Sequence, residues 1–371
     1  MSSGGATLQG SFSGATGSID DTGFIYGTSS GVLPNQVSSG STSSPFSKAL
    51  TGLTSGTTYY YKAYVHEYDE SASAYVYRYG SEQSFSTPGS VSVPVLGAGW
   101  LELPDYSYSS LSGTSTSSFT DLYAHTHKAM MGGVRQRNYS LLYDPEMYAS
   151  YWVAYPLCSA HCTSGRTETW AYDPDVPSAK QTLASSGYGV AVSTPNYASN
   201  SYGRGHQIPN ADRNAVDAMQ AQTYYYTNLT PQIQNGFNGG IWNDLEEAVR
   251  ALLPGCDTVY VVTGAAFRKK TDGTEGITKI TNGNDSKKLP LPNYYWKALL
   301  KVKRSAGVVT SASAIGFWLP HNDLKGEAYA DYTVSVDQLE SWTGLDLFHN
   351  LSAALQTSCE TNSNWTTFRS F

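Results

Sequence analysis

The stretch from Tyr202 to Arg250 decides the fold, and it contains the runs YGRGHQIPNADR (202–213) and TNLTPQIQNGFNGGIWNDLEEAVR (227–250). Four side chains recur in the second run at a constant spacing of four: Asn238, Trp242, Glu246 and Arg250. Because four residues slightly exceed one turn of an α-helix, this spacing predicts one helix with these side chains along one side. An adjoining apolar face is predicted to pack on a core, and it consists of Ile241, Leu245, Ala248, Val249 and Leu252.

Plainer interpretations exist for the same residues. Glu246 and Arg250, at positions i and i+4, have the spacing of a solvated ion pair worth roughly 0.2–0.5 kcal/mol. His206 has the sequence context of a loop histidine whose hydrogen bonds are satisfied. Taken one at a time, these interpretations are favoured, but the joint order of the residues along the chain favours a functional one.

This order resembles that of the DNA/RNA non-specific endonuclease family, also called ββα-metal or His-Me finger nucleases. The family's DRGH signature is similar to Gly203-Arg204-Gly205-His206, with Gly203 in place of the usual aspartate. Its downstream patterns N-x-x-P-Q and N-x-x-x-W-x-x-L-E-x-x-x-R are matched by Asn228, Pro231, Gln232, Asn238, Trp242, Leu245, Glu246 and Arg250. The resemblance covers residues 119–371 and implies a metal-dependent, sugar-non-specific endonuclease with DNA and RNA as substrates.

The resemblance also implies roles for individual residues. His206 is expected to be the general base, since a neutral imidazole can accept a proton from water near neutral pH. Asn238 is expected to bind one Mg²⁺ directly, with Mn²⁺ or another divalent ion able to substitute, and Glu246 to hold the water of that ion. Gly205 is expected to let backbone and substrate approach closely.

The same resemblance assigns three arginines and an amide to the phosphate. Arg166, in the run SGRTETW, falls where the family carries a catalytic arginine. Arg166, Arg250 and Arg204 are expected to face the scissile phosphate, because a guanidinium group fits two of its oxygens. Asn228 is expected to orient the site.

Two other classes of function remain open. Gly203, the departure from the family signature, is compatible with a catalytically degenerate nuclease fold that binds nucleic acid or a surface partner. A phosphodiesterase or phosphatase that acts on small molecules is the third interpretation, and a cleft too narrow for a duplex would favour it.

Composition limits these functions further. The chain has 371 residues, a charged fraction of 14% and a formal net charge of −7. This length allows two domains, and the acidic balance excludes a generally basic coat, so a nuclease must concentrate its cations locally. The abundance of Gly, Ser, Thr and Tyr suits β-rich exported proteins. With Met1 followed by SSGGAT, it favours a secreted, periplasmic or cell-surface protein whose leader is removed.

Four cysteines, Cys158, Cys162, Cys256 and Cys359, allow two disulfides in three connectivities. The favoured pairing joins Cys158 to Cys162 and Cys256 to Cys359, since the second bond would tie the tail to the core. A zinc site is the rival, although Cys-x3-Cys with distant partners matches zinc sites poorly. No run of 18 apolar residues indicates a membrane span, and the sequence leaves the oligomeric state open.

The predicted organisation is an all-β domain at 1–88, a linker at 89–118 and the nuclease domain at 119–371. The fold class is α+β: a central antiparallel sheet flanked by helices, plus the small N-terminal sandwich. The run Leu53-Thr-Ser-Gly-Thr-Thr-Tyr59 resembles the fibronectin type III family, in which the Tyr forms a corner hydrogen bond. A spacer role is favoured for this domain over carbohydrate or protein binding. The linker is expected to be part-ordered by Trp100, Leu101 and Leu103.

Strand patterns in the nuclease domain occur at 123–127, 137–144, 151–157, 258–263, 294–304 and 315–320. Helices are predicted at 211–222, with Asp212 as the cap, and from Ser335 onward. His125 and His127 would share one strand face, as a metal-binding pair does. Since no third ligand is spaced nearby, ordinary strand histidines are favoured there.

Overall fold

The structure is a computed structural model, and it describes residues 5–54, 57–87 and 99–371. The chain divides into two compact units, Met1–Ser92 and Val93–Phe371. The first third of the predicted linker, residues 89–98, lies outside the described residues, as does residue 88. The predicted α+β class is confirmed, with long strands and short helices.

The described part of the first unit is built of strands: β1 (Gly5–Gly10), β2 (Ile19–Gly27), β3 (Asn35–Ser38), β4 (Phe46–Thr51), β5 (Thr58–Asp69), β6 (Ala74–Tyr79) and β7 (Gln83–Ser86). β1 pairs with β4, while β5 pairs with β2 along one edge and with β6 and β7 along the other. Because side chains alternate along a strand, Tyr59, Tyr61 and Ala63 share one face, and they pack with Phe24 and Phe46 in an apolar core.

The predicted corner of this unit has the expected hydrogen bond. Leu53 and Tyr59 are both buried, and the backbone N–H of Thr54 donates to the Tyr59 hydroxyl at 2.9 Å. The turn therefore has the hydrogen bond that the resemblance implies, and the fibronectin type III assignment of the unit stays a prediction.

The second unit is organised by a seven-stranded antiparallel sheet. The strands of this unit are β8 (Tyr123–Met131), β9 (Val134–Asp144), β10 (Ala149–Leu157), β11 (Ala191–Thr194), β12 (Tyr197–His206), β13 (Leu229–Ile233), β14 (Val259–Ala266), β15 (Lys279–Thr281), β16 (Lys288–Pro290), β17 (Tyr294–Ser305), β18 (Val308–Pro320) and β19 (Thr333–Val334). The order across the seven-stranded sheet is β19-β18-β17-β14-β10-β9-β8, and these strands include those predicted from β-branched and aromatic runs.

Both faces of the seven-stranded sheet are covered, because side chains alternate between two apolar clusters. Trp152, Val262 and Leu300 point into one cluster, whereas Val153 and Val261 point into the other. The helices of the unit are α1 (Tyr108–Leu111), α2 (Asp217–Thr223), α3 (Asn243–Arg250), α4 (Val336–Thr343), α5 (Ala353–Cys359) and α6 (Trp365–Ser370). The second cluster contains the apolar face of α3, so the helix that holds the last part of the sequence motif packs on this face of the sheet.

The prediction of one helix from Asn238 to Arg250 is wrong in part. α3 begins at Asn243, and residues Gln234–Trp242 form kinked, wide turns with non-helical backbone angles at Gly236, Gly239 and Gly240. The break inside the predicted helix lies at Gly239 and Gly240, and just before it Gly236 has a φ of +84°, which side chains disfavour. The regular spacing of four therefore does not correspond to a ladder on one helix.

The two faces of the predicted helix had different outcomes. Ile241, Leu245 and Val249 are buried as predicted. Trp242, predicted beside the amide and carboxylate, instead packs in the core with Phe237 and Tyr295. The aromatic position of the motif thus anchors the helix to the sheet.

Two other helix predictions had different outcomes. α4 begins where predicted, with the Ser335 hydroxyl accepting from the backbone N–H of Gln338 at 3.1 Å. The helix predicted at 211–222 is shorter, since α2 spans Asp217–Thr223. Asp212 does not cap it, because its buried carboxylate accepts from Tyr155 and Arg250.

Residues 99–118 are more ordered than a linker. Leu101, Leu103 and Leu111 are buried in the core of the second unit. The buried carboxylate of Glu102 accepts from Arg137 of β9 at 2.6 Å. This segment therefore belongs structurally to the second unit.

The predicted disulfide pairing is wrong, since all four cysteines are free thiols in the structure. Cys359 is buried in the cluster on one face of the sheet. Cys256 packs against the cluster on the other face. The sheet therefore separates the two sulfurs that the sequence prediction joined.

Candidate active site

A β-strand pair and the turn that follows it create the site. β12 ends at His206, which pairs with Leu229 of β13, so His206 lies at a strand end and not in the loop that one interpretation placed it in. After β13 the chain passes directly into the kinked turns and then into α3. The motif histidine, the amide of the turns and the carboxylate of α3 are thereby brought to one place.

A polar cavity of about 460 Å³ lies where these elements meet. Six of the seven site residues predicted from the sequence line it: Arg166, Arg204, His206, Asn238, Glu246 and Arg250. The seventh, Asn228, is not among the lining residues. Further residues at its wall include Trp170, Asn214, Gln234 and Asn243.

His206 is held as a neutral imidazole. Burial, followed by the positive charges of Arg166 and Arg204, lowers its pKa to about 3. Its Nε2 atom is buried without a hydrogen-bond partner among the described residues. A neutral ring with a free nitrogen at the cavity can accept a proton from a substrate or water.

The amide of Asn238 is oriented by Gln234. Asn238 Nδ2 donates to Gln234 Oε1 at 3.2 Å, which leaves the amide oxygen as the end available for another partner. A Cβ atom at Gly203 would lie 1.9 Å from the same Gln234 oxygen. The glycine that departs from the family signature therefore makes room for the side chain that positions Asn238.

Gly205 has a packing role that differs from the expected one. A Cβ atom there would lie 2.3 Å from the side chain of Gln232 on β13. The absence of a side chain thus lets β13 close against β12, and substrate approach is not needed to explain it.

Glu246 lies near a buried cation. Burial raises the pKa of Glu246, while the positive charge of Lys297 opposes the shift. Lys297 is buried on β17, 4.7 Å from the centre of the Trp242 ring, and burial lowers its pKa. Lys297 therefore places positive charge behind the carboxylate that faces the cavity.

Two of the arginines that line the cavity, Arg166 and Arg204, lie beside the same carboxylate. The guanidinium of Arg204 stacks 3.7 Å from the centre of the Trp170 ring, and Arg166 lies 3.1 Å from the Glu168 carboxylate. Glu168 also lies 4.0 Å from Arg204, so one exposed anion sits between the two cations. This pair of guanidiniums can bind an anion of similar charge, such as a phosphate.

Arg250 and Asn228 have structural partners. Arg250 donates to Asp212 at 2.9 Å, so it is paired with Asp212 and not with Glu246 at i−4. Asn228 accepts from the backbone N–H of Ile208 and donates to its carbonyl, each at 3.0 Å. Asn228 thereby fixes the chain just after His206, which agrees with an orienting role and not with substrate contact.

Sequence reasoning missed four residues around the cavity: Gln234, Trp170, Glu168 and Lys297. Trp170 and Glu168 stand in the run that contains Arg166, where an aromatic residue beside alternating charges was the available signal. Gln234 and Lys297 carried no such signal, because the hydrogen bond of Gln234 to Asn238 depends on the kinked turns, and the position of Lys297 near Glu246 depends on the sheet.

A buried histidine under the site makes stability dependent on pH. His321 Nδ1–H donates to the Pro292 carbonyl at 2.9 Å, and its Nε2 accepts from the Ile233 N–H at 2.9 Å. Burial lowers the pKa of His321 to about 4, below the value of about 6.5 in an unfolded chain. As the pH falls, His321 is protonated in the unfolded state before it is protonated in the folded state. The contribution of neutral His321 to the free energy of unfolding is therefore fully present above about pH 6.5 and is lost as the pH falls towards 4.

Removing this titration is expected to flatten the pH dependence. Between about pH 6.5 and 4, the free energy of unfolding should fall less in His321→Gln than in the parent. The difference between the two decreases should be up to about 3 kcal/mol. Urea unfolding at several pH values measures the slope, with His349→Gln as the matched control. Equal slopes in the parent and in His321→Gln would contradict the assignment.

Comparison with known proteins identifies the nuclease part of the chain. The family model described as DNA/RNA non-specific endonuclease matches residues 120–354. A nuclease of Nostoc sp. is 29% identical over 230 residues, which are 61% of this chain and 76% of that protein. The nuclease of Serratia marcescens is 31% identical over 209 residues, 56% of this chain and 71% of that protein.

More distant relatives and a solved structure also match. The mitochondrial nuclease EXOG of Mus musculus is 26% identical over 230 residues, which are 58% of this chain and 57% of that protein. A crystal structure of the EndoG/EndoGI complex matches with a TM-score of 0.48 and 20% identity, covering 62% of this chain and 88% of that one. Because the family model spans more than half of the 371 residues of this chain, the chain belongs to the DNA/RNA non-specific endonuclease family and is a hydrolase that acts on nucleic acids.

Proposed function

We propose that the chain is a metal-dependent, sugar-non-specific endonuclease that hydrolyses phosphodiester bonds of both DNA and RNA. The observation that carries the proposal is the shared cavity: the His206 ring and the Asn238 amide line the same polar space, together with Glu246 and three arginines. Base, ligand and anion-binding groups within one cavity are the combination that phosphodiester hydrolysis requires.

The donor set fits a hard divalent cation such as Mg²⁺. The Nδ2 atom of Asn238 already donates to Gln234, so the Oδ1 atom of the same amide is available for the ion. Glu246 adds a carboxylate that lines the same cavity. Oxygen donors from one or two side chains, with water completing the shell, are what Mg²⁺ prefers. When bound, the ion would neutralise charge on the phosphate and on the leaving oxygen.

The chain's own residues would do the remaining chemistry. His206 Nε2 would accept a proton from the attacking water, and an anionic phosphate in the cavity would raise the low pKa of the ring toward the working range. Arg166 and Arg204 would exchange the Glu168 carboxylate for phosphate oxygens. Glu246 would accept hydrogen bonds from water, and Asn228 would keep the chain next to His206 in place.

Contacts of this kind would account for acting on both nucleic acids. The cations at the cavity are guanidinium groups suited to phosphates, which carry no sequence information. Since the net charge of the chain is −7, binding would depend on this local group of cations.

A gel assay with plasmid DNA and with RNA, with and without a divalent cation, tests the proposal. Both nucleic acids should be cut when Mg²⁺ is present, and neither should be cut in excess EDTA. Binding of nucleic acid without turnover in Mg²⁺ would favour the degenerate module instead. Hydrolysis confined to small phosphodiesters would favour the small-molecule enzyme.

A further inference from the structure

A cluster of metal-ligating side chains lies apart from the residues that line the catalytic cavity. His125 and His127 project from one face of β8, and Asp173 comes from the loop segment between β10 and β11, which also contains Arg166. His127 and Asp173 are almost fully buried, and the side chain of His125 is 17% exposed. A third ligand for the histidine pair could not be recognised from spacing, because Asp173 is 46 residues beyond His127.

The ligand atoms form a nearly equilateral triangle. His125 Nε2 is 3.1 Å from His127 Nε2, and Asp173 Oδ2 is 3.1 Å from the first and 3.0 Å from the second. Zinc bonds of about 2.0–2.1 Å in a tetrahedron give ligand-to-ligand edges of about 3.3 Å. The three atoms therefore lie close to one face of a tetrahedral metal site.

Hydrogen bonding alone satisfies this triangle poorly. The two Nε2 atoms face each other as well as the same carboxylate oxygen, so two neutral rings that both donate to Asp173 would bring their protons together. Thr227 already donates to that oxygen at 2.6 Å. A cation at the open side of the triangle would accept a lone pair from each ring and from Asp173.

The surroundings also resemble a second coordination shell. Asp175 Oδ2 lies 3.6 Å from His127 Nδ1, on the side of the ring away from Asp173. A carboxylate at the far nitrogen of a ligating histidine fixes the ring tautomer and strengthens the ligand. The mixed set of imidazole and carboxylate suits zinc and its neighbours in the first transition series, whereas Mg²⁺ and Ca²⁺ prefer oxygen alone.

We propose that His125, His127 and Asp173 bind a zinc-class transition metal at a structural site, with Asp175 supporting His127. The site joins β8 to the loop that also carries Arg166 and Trp170 to the cavity. The same loop is fastened nearby by Ala171, which pairs with Tyr225. Metal binding therefore stabilises the fold and holds the wall of the cavity in place.

Metal content and thermal stability of the full chain test the site. The chelated and dialysed protein should take up one Zn²⁺ per chain at this site, and Co²⁺ should give the visible absorption of a tetrahedral complex. Zn²⁺ should raise the unfolding temperature of the parent. In His125→Ala and Asp173→Asn the Co²⁺ absorption and the stabilisation should both be lost, and Asp175→Asn should weaken binding by about tenfold.

Two control variants separate this site from others. Asn238→Ala alters the proposed catalytic ligand, and it should keep the Co²⁺ absorption and the stabilisation by Zn²⁺. His66 lies on β5 of the other unit, and its Nδ1 atom is 2.8 Å from the Asp20 carboxylate. His66→Ala should also keep the Co²⁺ absorption and the stabilisation by Zn²⁺. The variant His125→Ala is expected to fold, since His125 is the most accessible of the three ligands.

The alternative is a cluster of hydrogen bonds without metal. In that case the parent would bind no Zn²⁺ beyond what His125→Ala and Asp173→Asn bind, and its unfolding temperature would not change with Zn²⁺. Either result would overturn the proposal. Octahedral Co²⁺ spectra in the parent would also contradict it, because the triangle has the dimensions of a tetrahedral face.

Discussion

His206→Ala is expected to reduce the hydrolysis of DNA and of RNA by about 10²–10⁴-fold, the range that removal of a general base produces. The ring stands at the end of β12, at the wall of the cavity, with a buried Nε2 that has no hydrogen-bond partner in the described part of the chain. Since burial and two arginines keep the ring neutral, the substitution removes a proton acceptor and no charge.

The fold should survive this substitution, because the lost ring makes few polar contacts. Circular dichroism and the unfolding temperature check this, and His349→Ala, a partly buried histidine bonded to Asn350 at 3.0 Å, is the matched control. Added imidazole should restore part of the activity to His206→Ala, since it can occupy the space of the missing ring. Parent-like cleavage by the variant would exclude His206 as the base, and failure of imidazole to restore activity in a folded, inactive variant would favour a structural role.

The motif residues of the sequence meet at one cavity because short connections make them adjacent in the fold. β12 and β13 pair directly, and the kinked turns and α3 follow β13 without an intervening loop. Residues that are close along this path, such as His206, Asn238 and Glu246, therefore end at one cavity. Arg166, which is distant in sequence from this path, was predicted through the family resemblance.

The details of the helix could not be predicted from spacing. A repeat of four residues is compatible with one straight helix, but three glycines break the regular backbone before Asn243. The motif tryptophan then enters the core, and Arg250 turns to Asp212. Periodicity describes a regular backbone, and it fails where glycine permits an irregular one.

Contacts between residues far apart in sequence were missed for a related reason. Asp173 completes the histidine triangle of β8 from 46 residues away, and the positive charge of Lys297 on β17 acts on Glu246 of α3. Gly203 showed a departure from the family signature, yet the compensating residue, Gln234, became visible through the pairing of β12 with β13. Such pairs are set by sheet register, which local sequence does not report.

The second large effect is expected at Asn238, the proposed metal ligand. Excess EDTA should abolish cleavage by the parent, and Mg²⁺ or Mn²⁺ should restore it. In Asn238→Ala, the Mg²⁺ concentration for half-maximal activity should rise at least about tenfold, since even outer-shell partners of a metal contribute 10–100-fold to its affinity. Gln234→Leu removes the acceptor that orients the Asn238 amide at 3.2 Å, so it should weaken metal binding by about tenfold while activity at saturating Mg²⁺ is kept.

Asn243→Ala is the matched control for this series. Asn243 lines the same cavity, but its amide donates to Glu247 at 3.0 Å and so has a partner outside the proposed metal site. Its Mg²⁺ dependence should equal that of the parent. If Asn238→Ala shows the Mg²⁺ dependence of Asn243→Ala, or if the parent cuts DNA at full rate in EDTA, the amide does not hold the ion. The different responses expected of Asn238 and Gln234 also distinguish a direct ligand, whose loss lowers affinity most, from a positioning residue, whose loss excess metal overcomes.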